Sequence, residues 1–184
     1  MDSARVNVLY RPGMKVVGDL FDITLLDNNR VPLYVADLAG HGVATAMLSV
    51  LFKQFMPLLD AAGDARSPAE VFHRVNKRMT NDGRIKGLFL TAGYVLVNLG
   101  TGELQAASAG HTPILSRRAN GDKVLLERTG PALGLTANAI FAERHLYIQP
   151  NDRLMLYTNG LIDGLDVGDD DELMKVLIPF VAGE

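Results

Sequence analysis

The pattern of hydrophobic and polar residues predicts short strands at the start of the chain. Residues 6–10, 20–26 and 31–36 are β-branched and aliphatic runs. The last two flank Asp27-Asn28-Asn29-Arg30, which is a strong turn sequence, so they predict a hairpin. Six more short runs follow later, separated by turns such as Asn120-Gly121-Asp122. These runs predict strands over residues 88–99, 103–109, 113–118, 123–128, 140–148 and 153–158.

Helical spacing of apolar residues appears in three places. Residues 43–59 predict a long, mostly buried helix that follows a glycine-rich turn. Ser67-Pro68-Ala69-Glu70 is a capping box with proline at the first helical position, and it predicts a second helix ending near Asn81. Residues 171–181 predict a third, with an acidic first turn that complements the helix dipole. Strands and helices that are segregated in this way predict a single α+β domain with antiparallel sheets packed by helices.

Composition excludes several functions. The chain has 184 residues, 18 Lys and Arg against 21 Asp and Glu, a formal net charge of −3, and no cysteine. Disulfides, thiolate metal sites and cysteine nucleophiles are therefore excluded, and the cytoplasm is the expected compartment. Scattered basic residues on an acidic chain argue against nucleic acid as a partner. The apolar run over residues 43–52 is about half of a bilayer-spanning helix, so no membrane partner is expected.

Three aspartates stand at the ends of predicted strands beside glycines. They are Asp19, Asp22 and Asp37. A carboxylate at the end of a buried strand is costly unless charge or hydrogen bonds compensate it, and a hard divalent cation provides such compensation. The alternative is that these aspartates only cap helices and turns, which is common for this residue type. Spacing alone leaves both interpretations open.

Five local sequences resemble the signatures of one family when they are taken in order. The family comprises the SpoIIE and RsbU type phosphatases, bacterial members of the metal-dependent protein phosphatase 2C (PPM) superfamily. The segments are Val17-Gly18-Asp19-Leu20-Phe21-Asp22, Val35-Ala36-Asp37-Leu38-Ala39-Gly40-His41-Gly42, Ser108-Ala109-Gly110-His111-Thr112-Pro113, Gly130-Pro131-Ala132-Leu133-Gly134-Leu135 and Tyr157-Thr158-Asn159-Gly160-Leu161-Ile162-Asp163. The resemblance covers nearly the whole chain. It implies a β-sandwich of two antiparallel sheets flanked by helices, in α-β-β-α layers.

The resemblance also implies a chemistry and a set of site residues. The family hydrolyses phosphoserine and phosphothreonine in proteins with two Mn²⁺ or Mg²⁺ ions and a bridging water. Asp37 would bridge the metals, the carbonyl of Leu38 would be a ligand, and Asp19 would hold one metal directly or through water. Asp19 and Asp37 are thus the expected catalytic positions. Asp22 would lie farther from the metals.

Two departures from the family pattern weaken the implied metal site. Asn159 stands where the family has a metal-binding aspartate, and the sequence to Glu184 contains no counterpart of the family's later Asp-Asp-x-Thr segment. Either the chain has been cut before that segment or this ligand is absent. An asparagine oxygen can ligate a hard cation but adds no negative charge, so we expect weakened metal binding. Asp163, which stands where the family has glutamate, could substitute as a ligand, as could the acidic run that follows it. The alternative is that this run is a solvated turn and helix start.

Glycines and histidines in two loops suggest further contacts. Gly40, His41 and Gly42 precede a predicted helix, where backbone N–H groups could bind an anion. His41 and His111 each follow a glycine and invite a role in phosphate contact or proton transfer. A structural role in the loops is favoured for both histidines, because in the family they belong to turn signatures.

Two functional hypotheses follow. The first is a metal-dependent serine/threonine protein phosphatase acting on a phosphorylated regulatory protein, which in similar families is often an anti-sigma factor antagonist of the STAS type. The second is a degenerate phosphatase that binds a partner such as a sigma factor, as in response regulators of the RssB kind. In both cases we expect residues 1–184 to be the effector part of a longer chain with an upstream receiver or sensor domain. A homodimer is also possible.

Overall fold

A computed structural model describes residues 4–11, 18–40, 43–83, 85, 87–163 and 170–182. The elements include eight strands and three α-helices, and a short 3-10 turn covers Asn159–Leu161. The strands are β1 (Asp19–Ile23), β2 (Arg30–Leu38), β3 (Leu90–Asn98), β4 (Glu103–Ala109), β5 (Ile114–Arg117), β6 (Lys123–Leu126), β7 (Arg144–Tyr147) and β8 (Arg153–Met155). The helices are α1 (Val43–Phe55), α2 (Pro68–Asn81) and α3 (Asp170–Ala182).

The strands form two antiparallel sheets. The first has the order β1-β2-β3-β4-β7 and the second the order β6-β5-β8. The predicted first hairpin is present as β1 and β2, and its turn is held by Asp27, whose carboxylate accepts hydrogen bonds from the backbone N–H groups of Asn29 and Arg30. Asparagine and aspartate favour such turns because their side chains can bond to the nearby backbone.

Helices α1 and α2 begin where their sequences predict. Ser67 caps α2 by accepting a hydrogen bond from the N–H of Glu70 at 3.4 Å, and Pro68 occupies the first turn. The buried side of α2 carries Val71, Val75 and Met79, which continue the apolar stripe. Helix α1 ends at Phe55 rather than at residue 59, because Pro57 cannot donate the next helical hydrogen bond.

Four layers result from the packing of these elements. One core cluster joins the first sheet to α1 and α2, through residues such as Tyr94, Phe52 and Phe72. A second cluster lies between the sheets and includes Val95 and Ile114. A third joins the second sheet to α3. The predicted α+β sandwich with α-β-β-α layers is therefore confirmed.

The prediction of a strand over residues 6–10 is wrong. This segment is irregular, and Val6 and Leu9 are more than half exposed. The ring of Tyr10 in this segment lies against that of Phe21, with centroids 6.2 Å apart. Alternating apolar residues form a strand only when a neighbouring strand supplies hydrogen bonds, and β1 pairs only with β2 among the described residues. The later strands β7 and β8 are also shorter than predicted.

Within the described part of the chain, no helix has the length and apolar character needed to cross a bilayer.

Candidate active site

Asp19 and Asp37 lie side by side at one end of the sandwich. They are directly paired in the antiparallel register of β1 and β2. Directly opposite residues in such a pair project from the same face of the sheet. Leu33 lies four residues before Asp37 on β2, so the two side chains project from the same face of the strand. Because Leu33 packs between the two sheets, this face is the one that meets the second sheet. The fold thus joins two carboxylates that the sequence separates by 18 residues.

Negative charge is concentrated at this end of the sandwich. The pKa of Asp37 is raised to about 6, first by burial and then by the charge of Asp19 and a hydrogen bond with it. The charge of Asp163 adds to the effect, so the predicted substitute ligand also acts on this site. Two carboxylates in one place favour a shared proton or a bound cation, because either relieves their repulsion.

The turn after β8 forms another wall of the site. The hydroxyl of Thr158 donates a hydrogen bond to Asp19 Oδ2 at 3.1 Å. The side-chain amide of Asn159 donates to both carboxylate oxygens of Asp163, at 3.2 and 3.3 Å. Both residues are exposed, and the 3-10 turn that begins at Asn159 holds them together. The amide at position 159 therefore bonds to the carboxylate that an aspartate at the same position would repel.

The donor set fits a hard divalent cation, with fewer charges than two ions require. Asp19 and Asp37 supply two adjacent carboxylates, and oxygen ligands of this kind suit Mg²⁺ and Mn²⁺. Among the described residues, however, no group of three or more His, Asp or Glu side chains is arranged to hold a metal ion. The carbonyl oxygen of Leu38, at the end of β2, is a further candidate by position.

Asp22 does not join this cluster. It lies three positions along β1, on the opposite face from Asp19, and accepts an ion-pair contact from Lys53 of α1 at 2.9 Å. Gly40 is exposed, with a φ of 116° that favours glycine. His41 and Gly42 lie outside the described residues.

His111 lies inside the sandwich rather than at its surface. Its ring is 3% exposed, and its Nδ1 atom is 2.7 Å from the hydroxyl oxygen of Thr91. Burial, more than any other cause, lowers the pKa of His111 to about 4, so the ring is neutral at neutral pH. Gly93 leaves room for this ring, because a Cβ atom there would stand 3.3 Å from its Cδ2. The burial agrees with a structural role for this histidine.

Sequence reasoning missed Thr91, Gly93 and Asn76. Asn76, buried on α2, accepts from the N–H of Gly134 at 2.8 Å and donates to the carbonyl of Thr136 at 2.9 Å. It therefore fixes the loop that begins at Gly130. A polar residue on the apolar stripe of α2 was the available signal for Asn76, whereas Thr91 and Gly93 stand in an ordinary apolar strand sequence.

Comparisons with known proteins agree with this geometry. The family model described as Stage II sporulation protein E (SpoIIE) matches residues 27–179. Protein IcfG of Synechocystis sp. is 26% identical, over 86% of this chain and 29% of its own length. The phosphoserine phosphatase RsbP of Bacillus subtilis is 25% identical, over 88% of this chain and 40% of its own length. The chain thus spans less than half the length of these relatives.

Solved structures of this class share the fold. The RsbU and RsbW domains of Rv1364c from Mycobacterium tuberculosis match with a TM-score of 0.68 and 27% identity, covering 83% of this chain and 42% of that one. The PP2C phosphatase domain of SpoIIE from Bacillus subtilis, solved with a fragment of its regulatory domain, gives a TM-score of 0.71 at 14% identity, covering 89% and 46%. The fold and the paired carboxylates define a domain of the protein phosphatase 2C type. The chain belongs to the SpoIIE family.

Proposed function

We propose that this domain is a metal-dependent protein phosphatase that hydrolyses phosphoserine or phosphothreonine on a regulatory protein. The observation that carries the proposal is the pairing of Asp19 with Asp37, which gathers negative charge at one end of the sandwich. Similarity to a phosphoserine phosphatase over 88% of this chain supports the same reaction class.

The residues of the site have separate tasks in this proposal. Asp37 and Asp19 would hold Mn²⁺ or Mg²⁺, with the Leu38 carbonyl and the Asn159 or Asp163 side chains as further oxygen donors. A bound metal of this kind would lower the pKa of a water molecule and neutralise phosphoryl charge. Thr158 orients Asp19 by its hydrogen bond, which fixes the direction in which the carboxylate presents its free oxygen.

The substrate that we propose is a phosphorylated anti-sigma factor antagonist of the STAS type. Support comes from the relatives, because RsbP and RsbU of Bacillus subtilis are both phosphoserine phosphatases and the solved structure from Mycobacterium tuberculosis contains an RsbW domain beside its RsbU domain. We further propose that residues 1–184 act as one effector domain of a longer chain, regulated by an upstream receiver or sensor domain.

The test combines metal binding with hydrolysis. Mn²⁺ is titrated calorimetrically into the wild type, Asp37→Ala and the control Glu127→Gln, which changes an exposed acid on the loop after β6. Phosphate release from a phosphorylated STAS protein is then measured at millimolar Mn²⁺. We expect binding and hydrolysis in the wild type and the control, and the loss of both in Asp37→Ala. Absence of hydrolysis from every phosphoserine protein tried would contradict the proposal.

One observation favours a second candidate, a non-catalytic binding module that presents a partner such as a sigma factor. Asn159 bonds to Asp163 through its amide, which occupies that carboxylate without any cation. Under this alternative, Asn159→Asp should create metal affinity and leave partner binding unchanged. Loss of partner binding in Asn159→Asp would count against the adaptor role. Analytical ultracentrifugation of the same samples would show whether the domain forms a homodimer.

A further inference from the structure

The pair of His111, which is buried, and Thr91, which is half-buried, lies beside the paired aspartates. Asp19, Asp37 and Thr91 occupy directly opposite positions on β1, β2 and β3. They therefore form a row across three strands on one face of the sheet, with Asp37 in the middle. Neighbours in such a row have Cβ atoms about 4.5–5.5 Å apart, which is within reach of a hydrogen bond between short polar side chains.

The hydroxyl of Thr91 already makes one hydrogen bond. Its oxygen is 2.7 Å from His111 Nδ1, and the Cδ2 side of the ring lies close to Gly93. Because a hydroxyl both donates and accepts, the contact with the neutral imidazole uses one of these capacities and leaves the other for the side of Asp37.

The burial of His111 keeps its ring neutral. Burial lowers the pKa of the ring more than a backbone hydrogen bond with Tyr157 raises it. The contact of Nδ1 with Thr91 at 2.7 Å is therefore made by an uncharged imidazole.

We propose that His111 is a positioning residue that acts through Thr91, whose hydroxyl it fixes against Asp37 so that the carboxylate keeps one orientation at the site. The proposal rests on the proposed function for its catalytic consequence, but the coupling among His111, Thr91 and Asp37 is a property of the protein alone. It can therefore be measured without metal and without activity.

The decisive measurement is the ¹⁵N NMR signals of the His111 ring in metal-free protein. Asp37→Asn should shift these signals in the wild-type background and in the Thr91→Ser background. The same change should leave them unmoved in a Thr91→Val background. Signals that ignore Asp37→Asn, or that shift equally in the Thr91→Val background, would overturn the proposal. An inactive domain does not affect this test.

Kinetics supply a second measurement where the domain hydrolyses a phosphoprotein. Thr91→Val and His111→Leu should each lower kcat by about ten- to a hundred-fold with little change in KM, as is usual when the group that orients a metal ligand is removed. The double variant should be no worse than either single variant, because the two residues act as one unit. His111→Asn, which can keep a polar atom near the position of Nδ1, and Thr91→Ser should retain most of the activity.

The matched control is Thr80→Val on α2, which removes a half-buried threonine hydroxyl that donates to the carbonyls of Asn76 and Lys77 in the same helix. It should leave kcat and the His111 signals unchanged. An equal loss of kcat in Thr80→Val, or additive losses in the Thr91 and His111 variants, would reduce the pair to a general effect on folding and refute the positioning role.

Discussion

At the scale of single residues, the site combines groups whose surroundings change their acidity in opposite directions. Asp37 has its pKa raised to about 6 by burial and by neighbouring carboxylates. His111 has its pKa lowered to about 4, chiefly by burial. Both residues are therefore held nearer to their neutral forms than they would be in the unfolded chain. The two residues differ in function, because a bound cation would lower the raised pKa of Asp37 again, whereas the ring of His111 is enclosed by the protein.

Asp37→Asn should stabilise the metal-free protein at pH 8. Because the pKa of Asp37 is higher in the folded state than the usual 3.8, the folded state binds more protons, and its stability falls as pH rises from about 4 through 6. An amide imitates the protonated carboxyl and removes this loss. We expect a gain of about 1–2 kcal/mol in the free energy of unfolding, after allowance for partial exposure. Urea unfolding in EDTA at pH 5 and pH 8 measures it, and destabilisation at pH 8 would contradict it.

His111→Asn should change the pH dependence in the other direction. The folded-state pKa of His111 lies below its usual 6.5, so the stability that this histidine contributes is present above pH 6.5 and is lost as pH falls toward 4. The wild type should therefore lose about 2–3 kcal/mol relative to His111→Asn over that range. Urea unfolding at several pH values tests the difference. An unchanged difference in stability between the wild type and His111→Asn from pH 7 to pH 4 would contradict this prediction.

At the scale of elements, the loop from Gly130 to Leu135 is held from both sides. Leu90 and Leu133 exchange backbone hydrogen bonds at 3.0 and 2.8 Å, which joins the loop to the start of β3. Asn76 of α2 binds the loop from the other side. Gly134 adopts a φ of 85°, and an added Cβ would stand 2.5 Å from the Leu88 carbonyl oxygen. This loop therefore links a helix of one layer to the strand that carries Thr91.

Asn76→Ala should destabilise the domain by about 1–3 kcal/mol, because it removes the two hydrogen bonds that this buried side chain makes with the backbone of Gly134 and Thr136. Thermal unfolding followed by circular dichroism measures the effect. Asn81→Ala, at the exposed end of the same helix, is the matched control and should change stability far less. Equal effects from the two variants would show that the contacts with the loop contribute nothing specific.

At the scale of the whole molecule, the site depends on the packing of both sheets and of α3. The turn that carries Thr158 and Asn159 follows β8 of the second sheet, whose outer face packs on α3 through Leu115, Tyr157 and Leu177. Asp19 and Asp37 belong to the first sheet. The hydrogen bond from Thr158 to Asp19 therefore crosses from one sheet to the other, and any loosening of α3 should reach the site through it.

Leu177→Ala should lower the free energy of unfolding by about 2–4 kcal/mol, since Leu177 is fully buried and its truncation leaves a cavity beneath α3. Lys175→Ala, on the exposed side of the same helix, is the control and should be nearly neutral. Denaturant unfolding of both variants gives the comparison. A Leu177→Ala variant as stable as Lys175→Ala would mean that α3 is not part of the cooperative core.

Local sequence signals predicted most of the helices and strands, and the family resemblance predicted their layers. Turn residues at 27–30, the capping box at Ser67 and the apolar stripe of α2 act locally, so they could be recognised without knowledge of the tertiary structure. The ordered motifs also placed Asp19, Asp37 and Asn159 at the candidate site before any distance was known. The prediction of a strand over residues 6–10 was wrong because these residues have the composition of a strand but lack a neighbouring strand to pair with.

The tertiary structure alone decided how these residues meet. The strand register separated Asp22 from Asp19 and Asp37, because alternate residues of β1 project from opposite faces. It also brought Thr91 to Asp37, and the fold buried His111 against Gly93. Contacts of this kind join residues that are far apart along the chain, and they depend on pairing and packing rather than on local preference. That is why the apolar sequence of β3 did not indicate that Thr91 lies beside the site.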